Sequence, residues 1–319
     1  MAYAAGDTIK ATEFNTFVAS SSDPFGYNHF AGTGSGVYGL GQTEIAQVTA
    51  GAGTITAAQF NSLLTGIDNI ANHTNASVTA RTQVSTGDTI AVKSAVATDL
   101  ATLATAVAAQ STSATALTTN QLRQVTTASA GWNSSATHET SVTFANANSM
   151  RHFFNAGGKI RVTTDVSGTV TGDKDTVFND LGTGLGNLDI GGLATTRSGS
   201  SETLTTNNLS TGMRDLGTGY STIIKLTSDN SNYTDNTLEV QAKLNDSVNS
   251  ATIITIKTIY TDGASDGTFT SGNTSGVPAD PNQAPQVRTT VSELHPNDSQ
   301  GLAAAIQASA NAEVSNSTS

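Results

Sequence analysis

The sequence contains no cysteine, so disulfide bonds, thiolate metal sites and cysteine nucleophiles are all excluded. Charged residues are also scarce: they make up 12% of the 319 residues, against roughly 25% in an average globular domain. No cluster of lysine and arginine occurs, and the net charge is −11. This charge disfavours binding to nucleic acid and to anionic membranes. Stability therefore has to come from packing or from oligomerisation.

Long apolar runs are missing as well. No run approaches the roughly 20 residues that a membrane-spanning helix needs. The segment Met1–Phe17 lacks both the basic start and the apolar centre of a signal peptide. We therefore predict no membrane insertion. Threonine, serine, asparagine, glycine and alanine fill the composition, and such uncharged hydroxyl and amide groups suit hydrogen-bonded surfaces that pack against copies of themselves.

The segment His138–Val166 carries the clearest local signals. Polar and apolar residues alternate around Val142, which predicts a strand. Met150 and the two phenylalanines that follow it share one side of a helix, which we expect to bury against the strands. Gly157 predicts the end of that helix, because glycine accepts the left-handed backbone found there. A second strand begins at Ile160.

This segment, with its core FFNAGGKIRV, resembles a motif of structural proteins from tailed-phage virions, especially those of phages that infect marine cyanobacteria. Those proteins carry a similar Phe-Phe-Asn-x-Gly-Gly-x-Ile-Arg run after a strand that contains a His-Glu pair, which here is His138 and Glu139. The match is tight over this segment and looser elsewhere. It implies a virion structural or tail-fibre-like protein, located in the virion, and it implies no catalytic residues.

A short element with the pattern TIxAxxFN occurs twice near the N-terminus, in Thr8–Thr16 and again in Thr54–Ser62. In the second copy Thr56 and Gln59 have the spacing of a capping box, so each copy predicts the start of a helix. Either two helix caps are similar by chance or the element is duplicated. The duplication also matches the start of the resembling phage proteins. We interpret residues 1–80 as a helical attachment region.

An apolar stripe predicts a helical connector over residues 81–130. Its members recur every three or four residues: Val92, Val96, Leu100, Leu103 and Val107. An amphipathic helix within one chain explains this spacing. The stripe also continues through Gln110 and Ala114 to Leu117, close to a heptad, so it could instead form the seam of a trimeric bundle in which Gln110 sets the register. A trimer is also the common solution for phage fibres.

After Thr126 the pattern changes to short strands separated by Asn, Asp and Gly turns. The predicted strands are Tyr220–Thr227, Thr237–Leu244, Ala251–Tyr260 and Val287–Glu293. The third is apolar on both faces, which predicts a central strand. A helix is predicted over Thr176–Leu185, and Gly301–Ser319 is predicted to be a weak helix followed by a mobile tail. The fold class is therefore α+β: an N-terminal helical region, then a mainly antiparallel β-sheet module with short covering helices over 131–319.

Catalytic and metal-binding patterns are weak. Glycosidases use two facing carboxylates, for which the candidates are Asp173 with Asp175, Asp262 with Asp266, and Glu139. The pair Asp262 and Asp266 is also a weak calcium candidate, although turn formation is the simpler interpretation. The five histidines are His29, His73, His138, His152 and His295. No two of them have the spacing of metal ligands on a helix. The glycine-rich runs Ala31–Gly41 and Gly182–Gly192 lack a phosphate-binding lysine and are interpreted as loops. We predict no enzyme, no cofactor and no metal site.

The sequence, with the resemblance of its FFNAGGKIRV segment, thus predicts a non-enzymatic structural protein of a tailed-phage virion. The preferred assignment within the virion is a tail fibre or tail appendage. Its expected partners are copies of itself in a homo-oligomer, which we expect to be a trimer, other virion proteins, and a host-surface glycan or receptor for host attachment. The exposed loops Asp229–Asn236 and Thr261–Ser275 are the expected places for receptor contact, because binding often occurs on loops. The alternatives are a capsid decoration or neck protein, and a glycan-binding adhesin or depolymerase.

Overall fold

The structure, a computed structural model, describes residues 10–31, 39–49, 55–86, 93–109, 117–127, 132, 134–168, 170, 173–264, 285–296 and 310–318. Within these ranges the chain combines helices with two antiparallel sheets, so the predicted α+β class is confirmed. Most of the helices come first along the chain and most of the strands follow.

The helices are α1 (Ala11–Phe17), α2 (Tyr27–Ala31), α3 (Ala57–Thr74), α4 (Lys93–Ala108), α5 (Ala147–Asn155) and α6 (Asp173–Leu185), with a 3₁₀ turn at Met213–Asp215. The strands are β1 (Leu117–Thr126), β2 (Ser135–Thr143), β3 (Lys159–Val166), β4 (Leu188–Ile190), β5 (Thr195–Arg197), β6 (Thr203–Asn207), β7 (Ser221–Thr227), β8 (Thr237–Leu244), β9 (Ile253–Thr261), β10 (Val287–Pro296) and β11 (Ala310–Thr318). Among the described residues, none of the helices has the length and apolar character needed to span a bilayer.

Two compact units divide the chain, and neither is a continuous stretch of sequence. The helical unit consists of the described residues within 1–118, 147–158 and 295–307. The β unit consists of those within 119–146, 159–294 and 308–319. Helix α5 therefore belongs to the helical unit, although strands β2 and β3 flank it in the chain. The predicted helix is confirmed, but its contacts place it in the helical unit, not among the strands where we expected its apolar side.

The two copies of the N-terminal repeat fold alike. The Gln59 N–H donates to Thr56 Oγ1 at 3.2 Å, and the Thr56 N–H donates to Gln59 Oε1 at 3.0 Å, so the predicted capping box is present. In the first copy Glu13 occupies the position of Gln59 and accepts the corresponding backbone bond. Phe14 and Phe60, one residue further along each copy, are both completely buried. Each copy thus begins a helix and anchors it with a phenylalanine.

The apolar stripe of α4 is buried inside the helical unit, where α4 packs against α1, α2 and α3. None of its four described members is more than 1% exposed: Val96, Leu100, Leu103 and Val107. Val92 lies outside the described residues. The amphipathic interpretation is confirmed for these residues, and the side chains proposed for a seam between chains are already covered by their own chain. Gln110 and Ala114 lie outside the described residues.

Of the described residues in the predicted helical connector over 81–130, those of α4 are helical and those of Leu117–Thr126 form a strand. Leu117 begins strand β1, which is next to β10 in its sheet. Threonines at positions 118 and 119 favour this result, because a β-branched side chain fits a pleated strand better than a helix. The apolar spacing that extended the helical prediction to Leu117 was therefore misleading at that residue.

The β unit consists of two sheets that face each other. One has the strand order β1-β10-β3-β4-β5 and the other has β11-β2-β9-β8-β7-β6. Across the buried interface between them, His138 Nδ1 of β2 lies 2.9 Å from Thr289 Oγ1 of β10. Tyr260 Oη of β9 lies 2.8 Å from the same hydroxyl and donates to the Arg288 carbonyl at 3.0 Å. These polar contacts join the two sheets within an apolar core.

The four strands predicted in the second half of the chain are confirmed as β7, β8, β9 and β10, and the predicted helix is α6. Strand β9 is central, as expected, because it pairs with β2 on one side and with β8 on the other. The prediction of a mobile tail was wrong for Ala310–Thr318. This segment pairs antiparallel with β2, from Ala310 opposite Thr143 to Thr318 opposite Ala136. The expected helical start at 301–309 lies outside the described residues.

The glycine-rich run Gly182–Gly192 is not a loop throughout. Gly182 lies in the last turns of α6, where an added Cβ would be 2.6 Å from the Thr164 carbonyl oxygen of β3. Glycine therefore lets the helix approach the strand at backbone distance. Gly186, with φ of +61°, follows the helix, and β4 begins two residues later. In the other glycine-rich run, residues 32–38 lie outside the described part of the chain.

Candidate functional site

The carboxylates considered as catalytic candidates do not form a common site. Asp173 and Asp175 lie in the first turn of α6 two positions apart, a spacing at which helical side chains point in different directions. Asp262 is buried and its Oδ2 lies 2.7 Å from Lys174 Nζ. Glu139 is on the outer face of the six-stranded sheet, and Asp266 lies outside the described residues. The Asp262 carboxylate therefore faces a lysine ammonium group, whereas a calcium site would need it to face an open loop with further oxygen ligands.

The histidines are used as structural groups. His73 is buried in α3, and its Nε2 lies 2.9 Å from the Ala156 carbonyl oxygen. Burial lowers the pKa of His73, and this backbone contact raises it to a smaller extent. His138 belongs to the contact between the sheets, so it lies in the interior and not at a strand edge. Within the described ranges, no three histidine, aspartate or glutamate side chains converge as a metal site would require.

The one tryptophan is not a surface platform for a sugar ring. Trp132 is 4% exposed, its ring packs 5.1 Å from the Phe178 ring, and its Nε1 donates to the Pro285 carbonyl at 2.8 Å. An aromatic that binds a sugar ring has to present its face to solvent. This tryptophan is a core residue of the β unit.

Glu139 takes part in a polar cluster on the outer face of the six-stranded sheet. It lies opposite Lys257 in the ladder between β2 and β9. Tyr220 is near both: the Lys257 and Lys243 ammonium groups lie 5.0 and 4.2 Å from its ring centroid. Burial raises the pKa of Tyr220, and the Glu139 carboxylate raises it further. Alternating charges of this kind stabilise a solvated face.

Of the two loops proposed for receptor contact, Asp229–Asn236 is described in full. Tyr233 and Asn236 are buried, while most of the other residues of this loop are exposed. Asn236 Oδ1 accepts hydrogen bonds from the N–H groups of Gly263 and Ala264, both at 3.0 Å, and so ties this loop to the start of the other one. The second loop is described only up to Ala264.

Asparagine side chains of the helical unit hold extended backbone segments. In the first repeat, Asn15 Nδ2 donates to the Val48 carbonyl and Asn15 Oδ1 accepts from the Val48 N–H, both at 2.8 Å. The equivalent residue of the second repeat, Asn61, makes the same pair of bonds with Val84 at 2.9 and 2.8 Å. Each amide thus makes the pair of hydrogen bonds that a neighbouring strand would make, for a segment that belongs to neither of the two sheets of the described residues.

A third clamp of the same kind joins Asn28 of α2 to Ile45, with both bonds at 2.8 Å. The extended segment 39–49 is therefore held at Ile45 and at Val48. In extended backbone, successive residues direct their peptide groups to opposite sides. The peptide groups of Glu44 and Ala46 consequently point away from Asn28. Val48, three residues after Ile45, directs its peptide groups to that other side, where Asn15 holds them, so the segment is clamped on both sides.

A groove of about 590 Å³ lies between this extended segment and α3. Its walls include Gln42 and Glu44 on one side and Thr65 and Asn69 on the other, with Gln83 of the second extended segment. The buried ring of Tyr27 lies at Gly66, where an added Cβ would be only 2.5 Å from the ring. Burial raises the pKa of Tyr27 to about 12, so the phenol stays neutral at physiological pH.

The groove is suited to an uncharged, hydrogen-bonding ligand. Its lining contains amides and hydroxyls, which donate and accept at once, and a single ionisable carboxylate, Glu44. Lysine, arginine and histidine are absent from the described lining, so phosphates and acidic sugars find no cation there. Amides that face an extended segment match the needs of a peptide backbone, as the three clamps within the unit demonstrate.

The sequence analysis did not identify this groove. The signal that it contained was the asparagine shared by both repeats, Asn15 and Asn61, which we interpreted only as part of a helix start. The comparisons add no relative to these observations: no protein-family model, no curated protein and no solved structure significantly matches this chain.

Proposed function

We propose that this chain is a non-enzymatic structural protein of a tailed-phage virion, and within the virion a tail fibre or tail appendage. One observation carries the proposal: the segment around FFNAGGKIRV resembles a motif of such proteins. Its residues make structural contacts. Asn155 Nδ2 donates to the Gly39 carbonyl at 2.8 Å, and the Ala156 carbonyl lies against His73. A motif used in this way supports an architectural role.

The chemistry of the described residues also favours a role without catalysis. The most deeply buried carboxylate among the catalytic candidates, Asp262, is paired with Lys174, and the surface pair Asp173 and Asp175 does not converge. A depolymerase needs two carboxylates on either side of a sugar chain. An Asp173→Asn variant that loses polysaccharide cleavage would contradict the non-enzymatic proposal.

Docking to other virion proteins would use the groove of the helical unit, with an extended, uncharged peptide segment as its occupant. The support is the chemistry of the lining: the side-chain amides of Asn69 and Gln83 can donate to and accept from a peptide backbone, as the asparagine clamps of the same unit do. Glu44 would disfavour an acidic segment.

The first experiment is immunogold electron microscopy of intact virions with an antibody to this protein. Label along or beneath the tail supports the appendage. Label on the head or collar selects a capsid decoration or neck protein instead. An absence of label on every particle contradicts a virion protein of either kind.

A second experiment tests the groove. Thr65 is exposed and lines it, so Thr65→Trp should fill the groove without disturbing the core. Thr105→Trp, at an exposed position of α4 away from the groove, is the matched control. We expect folded Thr65→Trp protein that is not incorporated into particles, and normal incorporation of the control. Equal incorporation of both variants would contradict docking through the groove. Binding of host cells by the isolated protein would support an additional adhesin role.

A further inference from the structure

The β unit contains a lysine and an aspartate that are both withdrawn from water. Lys174 Nζ of α6 lies 2.7 Å from Oδ2 of Asp262, the residue that follows β9. Their side chains are only 2% and 1% exposed. Removing two charges from water is costly, and an apolar pair of similar volume is often at least as stable. Stability alone therefore gives no reason to keep an ion pair here.

The position of Lys174 is unusual for a lysine. It lies in the first turn of α6, where the helix dipole favours acidic residues and disfavours a cation. Asp173 and Asp175 on either side follow that rule, and both are more exposed than Lys174. The lysine is thus placed against local electrostatics, with its ammonium group directed at one carboxylate.

An aromatic wall borders the pair. Phe178 follows Lys174 by one helical turn, so the two share a side of α6. Tyr260, near the end of β9, precedes Asp262 by two residues in the chain. The two ring centroids are 6.3 Å apart, and Trp132 packs against Phe178 at 5.1 Å. Each of the three aromatic residues is no more than 4% exposed. Bulk water is therefore kept away from the lysine and aspartate.

We propose that Lys174 and Asp262 form an intramolecular amide bond. One proton passes along the hydrogen bond from Nζ to the carboxylate, which produces a neutral amine and a carboxylic acid. The amine nitrogen attacks Cγ, the bond from Cγ to its hydroxyl breaks, and the hydroxyl leaves with a second nitrogen proton as water. The ammonium and carboxylate thus become one amide and one water molecule, with no oxidant or reductant. Cγ is one bond from Oδ2, so the nitrogen is near the roughly 3–3.5 Å of a near-attack arrangement.

The bond would give a cysteine-free chain a covalent cross-link. It joins α6 to the end of β9, two points that are 88 residues apart in sequence. A cross-link over a long loop restricts the unfolded chain, which is the way that disulfides stabilise proteins in the loop-entropy description. It needs no oxidising compartment, because no electron is transferred. The proposal is independent of where in a virion the protein lies.

Mass spectrometry of the purified full chain tests the proposal. We expect an intact mass lower than that of the sequence by one water molecule, after allowance for removal of Met1, and a proteolytic fragment in which the peptides around Lys174 and Asp262 are joined. Lys174→Arg should restore the full mass. Lys225→Arg, which alters the partly exposed contact with Glu239, should keep the deficit. An unmodified mass in folded wild-type protein would overturn the proposal.

A cyclic imide at Asp262-Gly263 would also remove one water, and the two products are distinguishable. The imide forms within the aspartate peptide and needs no lysine, so its deficit would persist in Lys174→Arg and no joined fragment would be found. That result would overturn the amide bond. The joined fragment is measured on the wild-type chain, so the test does not depend on whether a variant folds.

Discussion

Asn61 holds the backbone of Val84 with both atoms of its side-chain amide, through hydrogen bonds of 2.9 and 2.8 Å. Asn61→Asp keeps the acceptor for the Val84 N–H but sets a carboxylate oxygen against the Val84 carbonyl. We expect this variant to lower the free energy of unfolding by about 1–3 kcal/mol, the range for a buried polar group left without its partner. Urea unfolding measures the change.

Asn69 supplies the matched control, because it lies two helical turns further along α3, lines the same groove, and makes no hydrogen bond with another of the described residues. Asn69→Asp should change the free energy of unfolding by less than about 0.5 kcal/mol. Equal losses in the two variants would mean that helix electrostatics, not the clamp, account for the effect at Asn61.

Acidification should weaken the helical unit through His73. Burial lowers the pKa of this imidazole in the folded state below its ordinary value of 6.5. Between the two pKa values the unfolded chain binds a proton that the folded chain does not. The stabilisation is therefore present above the unfolded-state pKa and is lost as the pH falls toward the folded-state pKa, by at most about 1.4 kcal/mol per pH unit.

The measurement is the unfolding free energy between pH 8 and pH 5 in wild-type protein and in His73→Gln. The glutamine does not titrate and has an amide that can still approach the Ala156 carbonyl. The difference between the two proteins should be constant near pH 8, where both side chains are neutral, and should shrink on acidification. A difference that stays constant over the whole range would exclude His73 as the titrating group.

Leu103 should act within one chain and not between chains. Its side chain is completely buried in the helical unit, so Leu103→Ala should cost about 2–5 kcal/mol through lost burial and the cavity left behind. Thr105→Ala, at an exposed position on the same helix, should cost much less. Denaturation at several protein concentrations decides the point, because the cost of breaking an intermolecular seam depends on concentration. A denaturation midpoint that rises with protein concentration in the wild type and not in Leu103→Ala would support the interpretation of a seam between chains.

The C-terminal strand should be necessary for solubility. A chain that ends at residue 309 lacks β11 and leaves the outer edge of β2 without its antiparallel partner. Unpaired edges invite pairing with other chains, so we expect self-association in size-exclusion chromatography and a loss of more than about 1 kcal/mol of stability. Removal of Ser319 alone is the control. A truncated chain that stays monomeric and equally stable would show that the last residues behave as a dispensable tail.

Strong local periodicity was enough to predict some elements and not others. Strand β8 matches the prediction to the residue, because Thr237–Leu244 alternates apolar and polar side chains without interruption. Strand β11 was missed because its alternation is short, depends on two alanines and Val314, and ends in the polar run Ser315–Thr318. Its pairing also depends on β2, far away in the chain. Helix α5 was predicted correctly, but its own sequence does not say which unit its apolar side will join.

The site was harder to predict than the fold. Clamps such as Asn15 with Val48 and Asn61 with Val84 join residues 33 and 23 positions apart, and an asparagine on a helix has no local feature that marks it as one half of such a contact. The groove depends on how these segments pack. The pairing of Lys174 with Asp262 was equally invisible, since both residues have neighbours typical of a solvated turn.

The chain passes between its two units several times: after residue 118, around helix α5, and near 294 and 307. No single proteolytic cut can release either unit intact, and no contiguous gene segment encodes one of them. Recombination that exchanges a block of sequence at one crossover would leave each unit with parts from two parents. The protein is therefore expected to be inherited as a whole, and sequence change along it should be coupled between its ends and its middle.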